Sequence, residues 1–146
     1  MGVMTALNHV STALGQPVVT GWMPGPVNPA GRQVVVSVTD FASQQRRALP
    51  GIAYRGMRMR EGWYAMPGAI GLWLWSLPVA GRSGSISVWE SAEALQQFIV
   101  LPRHLNIMDR YRDRGDVRST TWEADVFDSG ETLRRAYAWI GERSMG

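Results

Sequence analysis

The stretch SISVWESAEALQQFIVLPRHLNIMDRYRDRG, Ser85–Gly115, decides the fold. Its first five residues alternate, with Ile86 and Val88 on one side and Ser85, Ser87 and Trp89 on the other, which is the period of a β-strand. Glu90-Ser91 makes a turn, and Ser91 is a residue type that caps a helix N-terminus by accepting an early backbone N–H. A helix is therefore expected from Ala92 to Arg112, with Leu95, Phe98, Ile99, Leu105, Met108 and Tyr111 along its apolar stripe. Pro102 lies inside that span. A proline in a helix interior costs about 3 kcal/mol, so the spacing predicts a kink or a restart just before His104. Gly115 ends the segment.

Gly71–Leu77 reads as a strand, with Trp73, Trp75 and Leu77 opposed to Leu72, Leu74 and Ser76. The glycine-containing Pro78–Gly84 connection makes it a hairpin with Ser85–Trp89. Before it, Gly51–Met66 follows a first-turn proline, Pro50. It places Ile52, Gly56, Met59, Trp63 and Met66 on one helical face and Arg55, Arg58 and Glu61 on another. Gln33–Phe41 is a strand apolar on both sides, so it belongs in the middle of a sheet covered twice. Downstream, Val117–Ala124 alternates as a further strand. Asp128 and Glu131 have the spacing of a capping box for a helix carrying Leu133, Ala136, Tyr137 and Ile140 on one face. Residues 1–31 read as a separate unit: a short amphipathic helix, Val3–Leu14, and an arm with prolines 17, 24, 26 and 29. Trp22 and Met23 give that arm an apolar foot for packing on its own domain or on a partner subunit. Residues 32–146 form the folded domain.

The order strand, helix, strand, strand, helix, strand folds into a ferredoxin-like α+β domain. Its sheet is four-stranded and antiparallel with two helices on one face, and a C-terminal helix is added. This arrangement is expected to leave the second sheet face bare although its first strand is apolar there. Pairing of two sheets as a homodimer would cover it.

Composition narrows the function. At 146 residues, one domain of this size buries about two thirds of its unfolded surface. No apolar run reaches the roughly 20 residues of a spanning helix, and the N-terminus lacks the pattern of a signal peptide, so a cytoplasmic protein with no membrane role is expected. Without cysteine there is neither a disulfide framework nor a thiolate metal site, and no His/Asp/Glu cluster has metal-ligand spacing. The net charge of +3 is carried by arginine alone, spread along the chain and interleaved with acids, unlike the unbroken patch of a nucleic-acid binder. GxSxG, phosphate-loop and dinucleotide motifs are absent, which removes the hydrolase and nucleotide-dependent classes that use them.

The segments SVWESAEALQQFIVLPRHLNIMDRYRDRG and TTWEADVFDSGETLRRAYAWI, with PGAIGLWLWS at the second strand, resemble the dimeric α/β-barrel superfamily. More narrowly, they are similar to the small proteins related to antibiotic-biosynthesis monooxygenases. The resemblance covers Gln33–Ile140, leaves out the N-terminal arm and Pro102, and rests on residue type and order. It implies a cofactor-independent oxygenase, or a related isomerase or cyclase, acting on a hydrophobic small molecule. A heme-dependent oxygenase or dehydratase and a non-catalytic ligand-binding dimer are the alternatives within so broad a superfamily. His104 titrates nearest neutrality and is the candidate general base, with heme ligation as its other use. Trp63, Trp73, Trp75 and Trp89, with Met59 and Met108, are candidate walls of the pocket. Tyr64, Tyr111, Asn106 and Arg103 are candidate polar contacts. Each also has a plain structural reading, as core, interface or solvated surface.

Overall fold

The computed structural model describes residues 17–44, 49–111 and 114–144. Two short strands of the arm come first, β1 (Val18–Val19) and β2 (Met23–Pro24). They are followed by β3 (Val34–Ser43), α1 (Leu49–Glu61), a 3₁₀ turn at Trp63–Ala65 and β4 (Ala69–Leu77). After a second 3₁₀ turn at Pro78–Ala80 come β5 (Arg82–Trp89), α2 (Ala92–Ile99), α3 (Pro102–Tyr111), β6 (Gly115–Ala124) and α4 (Ser129–Ser144). The long strands lie in the order β4-β5-β3-β6, all antiparallel, which is ferredoxin-like. The helix expected to break at Pro102 does so: α2 stops at Ile99 and α3 restarts with Pro102 in its first turn, where a missing N–H does no harm. Ser91 caps α2, its Oγ accepting from the Ala94 N–H at 3.1 Å.

The sheet has six strands where four were expected, because the arm joins it. β1 and β2 pair antiparallel with β4, the Thr20 N–H bonds the Leu74 carbonyl at 2.9 Å, and the Gly25 N–H bonds that of Ile70 at 2.9 Å. Between the two strands Trp22 crosses onto the sheet, its ring centroid 4.3 Å from that of Trp73 and stacked on Phe127 at 5.2 Å. A side chain at Gly71 would collide with it, since a Cβ there would lie 1.9 Å from Trp22. The Val3–Leu14 helix lies outside the described residues.

Both sheet faces carry helices within one chain. On one face Val34, Val36, Val38, Ile86 and Val88 are fully buried under Ala136, Tyr137 and Ile140 of α4, with Trp22 and Phe127 packed beside them. The bare face expected from the sequence is therefore absent, because the C-terminal helix folds back over it. What fixes α4 there is charge as well as packing. Asp40, fully buried on β3, accepts from Arg82 Nη2 at 2.6 Å and from Arg118 Nε at 3.3 Å. The same two guanidinium groups donate to the Ile140 carbonyl at 2.7 Å and the Trp139 carbonyl at 2.9 Å. Near a helix C-terminus the carbonyl ends favour cations, which suits the surplus positive charge of two arginines on one aspartate. Asp128 and Glu131 do not form the reciprocal box: Asp128 Oδ1 takes the Gly130 N–H at 3.0 Å, while the Glu131 carboxylate turns to Arg134.

The opposite face carries α1 and α2. Its apolar part is Val35, Leu72, Trp89, Ala69 and Trp63, packed under Ala94 and Leu95. Toward the other end of the strands it becomes a field of hydroxyls, which bears directly on the site.

Candidate functional site: the helix-covered sheet face

Because side chains alternate along a strand, Ser83, Ser85 and Ser87 share the face of Trp89. The register sets Ser87 beside Ser37, Ser85 beside Thr39 and Leu74, and Ser83 beside Phe41 and Ser76. Trp89 Nε1 donates to Ser87 Oγ at 2.9 Å, and Thr39 Oγ1 lies 2.9 Å from Ser85 Oγ while accepting the Ser85 N–H at 3.0 Å. Thr39, Phe41, Ser83 and Ser85 are half-buried, so this part of the face is not sealed. Ser83 Oγ itself is buried and has no protein partner.

At the other end three rings meet. Trp63 stands edge-on to Trp89 and to Phe98, both at 5.3 Å between centroids, and Phe98 lies 4.6 Å from the His104 imidazole. Trp63 and Trp89 are at most 1 % exposed. The Trp63 indole N–H is nevertheless unpartnered, an unusual state for a buried donor. His104, half-buried at the start of α3, places Nδ1 3.0 Å from the Ile99 carbonyl, the end of α2 freed by the Pro102 break. A carbonyl only accepts, so Nδ1 carries the proton and Nε2 keeps its lone pair. Burial holds the His104 pKa below the ordinary histidine value, only partly offset by the bond to Ile99, so the neutral form prevails at neutral pH. A neutral imidazole with a fixed tautomer can accept a proton at Nε2.

The sequence-predicted site residues divide between the two faces. His104, Trp63, Trp89 and half-buried Met59 gather on the helix side. Trp73 and Trp75 lie across the sheet, against the arm and α4, where the Trp75 indole crosses Gly84 to donate to the Thr39 carbonyl at 3.1 Å. Tyr64 (70 % exposed) points to solvent and Met108 is also exposed. The side chains of Arg103, Asn106 and Tyr111 are outside those described. Phe98 and the row of hydroxyls were not among the expected contacts, although the Ser83/Ser85/Ser87 alternation was the available signal. A separate cavity of about 340 Å³ opens on the other face between Trp22, Ile70, Phe127 and the 24–29 segment. It has no titratable lining residue and is remote from His104.

A heme held by His104 would need a flat apolar slot beside Nε2. Phe98 packs against the imidazole at 4.6 Å between centroids, with Trp63 and Trp89 behind it, so that side of the ring is filled and does not admit a porphyrin. Among the described residues there is no group of metal-ligating side chains, and no helix is long and apolar enough to cross a membrane.

Against known proteins, no family model matches and no curated protein matches. Solved structures do. A cofactor-independent oxygenase from Streptomyces nogalater superposes with a TM-score of 0.52 at 17% identity, over 62% of this chain and 92% of its own. The chain shares its fold with a candidate antibiotic-biosynthesis monooxygenase from Deinococcus radiodurans, at a TM-score of 0.56 and 15% identity, over 65% of this chain and 96% of its own. A candidate monooxygenase from Lactobacillus acidophilus matches with a TM-score of 0.56 at 12% identity, over 77% of this chain, which spans only 56% of it. A heme-degrading enzyme from Listeria monocytogenes gives 0.55 at 14% identity, over 70% of this chain and 68% of its own. At these identities the likeness to the monooxygenases is one of fold, and the chemistry rests on the residues above.

Proposed function

We propose that the chain is a cofactor-independent, monooxygenase-like enzyme, or a related isomerase or cyclase, for a hydrophobic small molecule bound between α1, the α2–α3 bend and the sheet. The observation that carries this reading is the His104 tautomer: Nδ1–H is committed to Ile99, which leaves Nε2 as a base beside an apolar wall. Such a base removes a proton from an activated methylene, and the resulting electron-rich anion passes its electrons to O₂. The methylene becomes a carbonyl and the second oxygen leaves as water. Phe98, Met59 and Leu74 supply half-buried apolar surface, and the free Trp63 N–H is a donor for a substrate oxygen. The test is O₂ uptake on polycyclic phenols bearing such a methylene. General-base catalysis contributes about 10²-fold or more, so His104→Ala should lose at least that, and retention within about threefold removes His104 from the mechanism.

A second reading, a non-catalytic ligand-binding protein, draws support from the near-complete burial of Trp63, Trp73, Trp75 and Trp89 as core. It predicts ligand binding that survives His104→Ala and no O₂ uptake by either protein. In both readings we propose a homodimer. Its support is the outer edge of β6, ten residues that pair only with β3 among the described strands, with Val117 exposed on it.

A further inference from the structure

Two polar atoms are buried without partners, Arg55 Nε on α1 and Ser83 Oγ on β5. A Cβ at Gly56 would lie 3.3 Å from Leu74, so α1 sits over β4 at that level. Trp63 packs beside Trp89, the neighbour of Ala69, so α1 runs antiparallel to β4 and the residues before Gly56 lie toward Ser76. Ser76 is opposite Ser83. The sideways direction follows from Arg60, which reaches the Gly21 carbonyl of the arm at 3.4 Å, on the outer side of β4. Arg55, five residues earlier, is about 140° away around the helix, so it overhangs the inner side, where β5 carries Ser83 and Ser85.

Arg55 is half-buried and has no carboxylate partner among the described residues; the neighbouring Arg58 takes Glu61 at 3.6 Å. A guanidinium fork over a hydroxyl row, with no acid to neutralise it, is a receptor for a planar anion. From this end of α1 to the free Trp63 N–H is eight residues, about 12 Å of helix, and the side chains between them, Met59 and Leu74, are apolar. We propose that this is a carboxylate-binding subsite, with Arg55 and Ser83 holding the acid group of a ligand whose hydrophobic body extends toward Trp63 and His104. The inference rests on the small-molecule site proposed above and names its substrate class: apolar carboxylic acids.

The experiment is calorimetric titration of the full chain with 2-naphthoate and with 2-naphthalenemethanol, its uncharged counterpart. The acid is expected to bind at least tenfold more tightly. Arg55→Gln should remove that preference and leave the alcohol unchanged, Ser83→Ala should weaken the acid severalfold, and Arg58→Gln should leave both alone. Equal binding of acid and alcohol, or a preference that survives Arg55→Gln, overturns the carboxylate subsite while leaving the hydrophobic site standing. Binding of neither probe overturns both. Circular dichroism of each variant establishes that a lost preference is not lost folding.

Discussion

Replacing Asp40 with asparagine keeps its shape and removes the charge that two arginines share. In the native protein Asp40 is fully buried, the Arg82 side chain is 6% exposed and Arg118 28%. Without the carboxylate, Arg82 retains the Ile140 carbonyl but loses the buried ion pair it makes under α4. Breaking a buried pair in this way costs roughly 3–5 kcal/mol, and the lower end applies because the substituted amide still offers one acceptor. Against the 5–15 kcal/mol stability usual for a domain, that is a large loss. For a chain of this size it lowers Tm by about 6–12 °C. The assay is urea unfolding followed by tryptophan emission. Arg118→Met should cost only about 1 kcal/mol, since Arg118 is partly solvated and Asp40 keeps Arg82. Asp40→Asn with Arg82→Met should recover part of the single-variant loss, because the buried guanidinium leaves with its partner. A loss under about 0.5 kcal/mol for Asp40→Asn, or a double variant worse than the sum of its parts, would refute the view that this charge cluster anchors α4.

Three further outcomes are expected. Gly84→Ala places a Cβ 1.8 Å from the Thr39 carbonyl oxygen and 2.8 Å from Trp75 Nε1, and should cost about 3 kcal/mol in the same assay, the upper range for forced overpacking. Burial raises the Tyr137 pKa to about 12. The folded chain therefore holds a proton that the unfolded chain releases, so stability should fall as pH rises above about 10, and Tyr137→Phe should flatten that decline. Light scattering after size exclusion should give twice the chain mass; a monomer in dilute solution would remove the dimer from the proposal.

The fold was legible because its signals are local. The Ser91 cap, the Pro102 break and the two-sided valine strand each impose their structure wherever they occur. Which face an element covers is not local. The Ala136, Tyr137 and Ile140 stripe announces an amphipathic helix, but only the contacts of Arg82 and Arg118 with its last turns direct it to the far side of the sheet. The tryptophans separate for a similar reason. Trp73 is opposite Ile86 across β4 and β5, and Ile86 points away from the side of Trp89, so one residue of register decides which rings meet. Helical spacing alone groups Arg55 with Arg58 as solvated surface. Its position three residues after Ile52 and four before Met59 was the sign that it faces inward.

The protonation state of His104 decides whether its Nε2 is free to take a proton from a substrate. Long-range ¹⁵N–¹H correlation of the imidazole signals, assigned with a His104→Gln variant, reports both tautomer and titration midpoint. The bond to Ile99 and the burial of the ring predict a proton on Nδ1, a bare Nε2 and a midpoint below the ordinary histidine value of 6.5. An Nε2–H tautomer, or a midpoint at or above that value, would contradict the base proposed at His104.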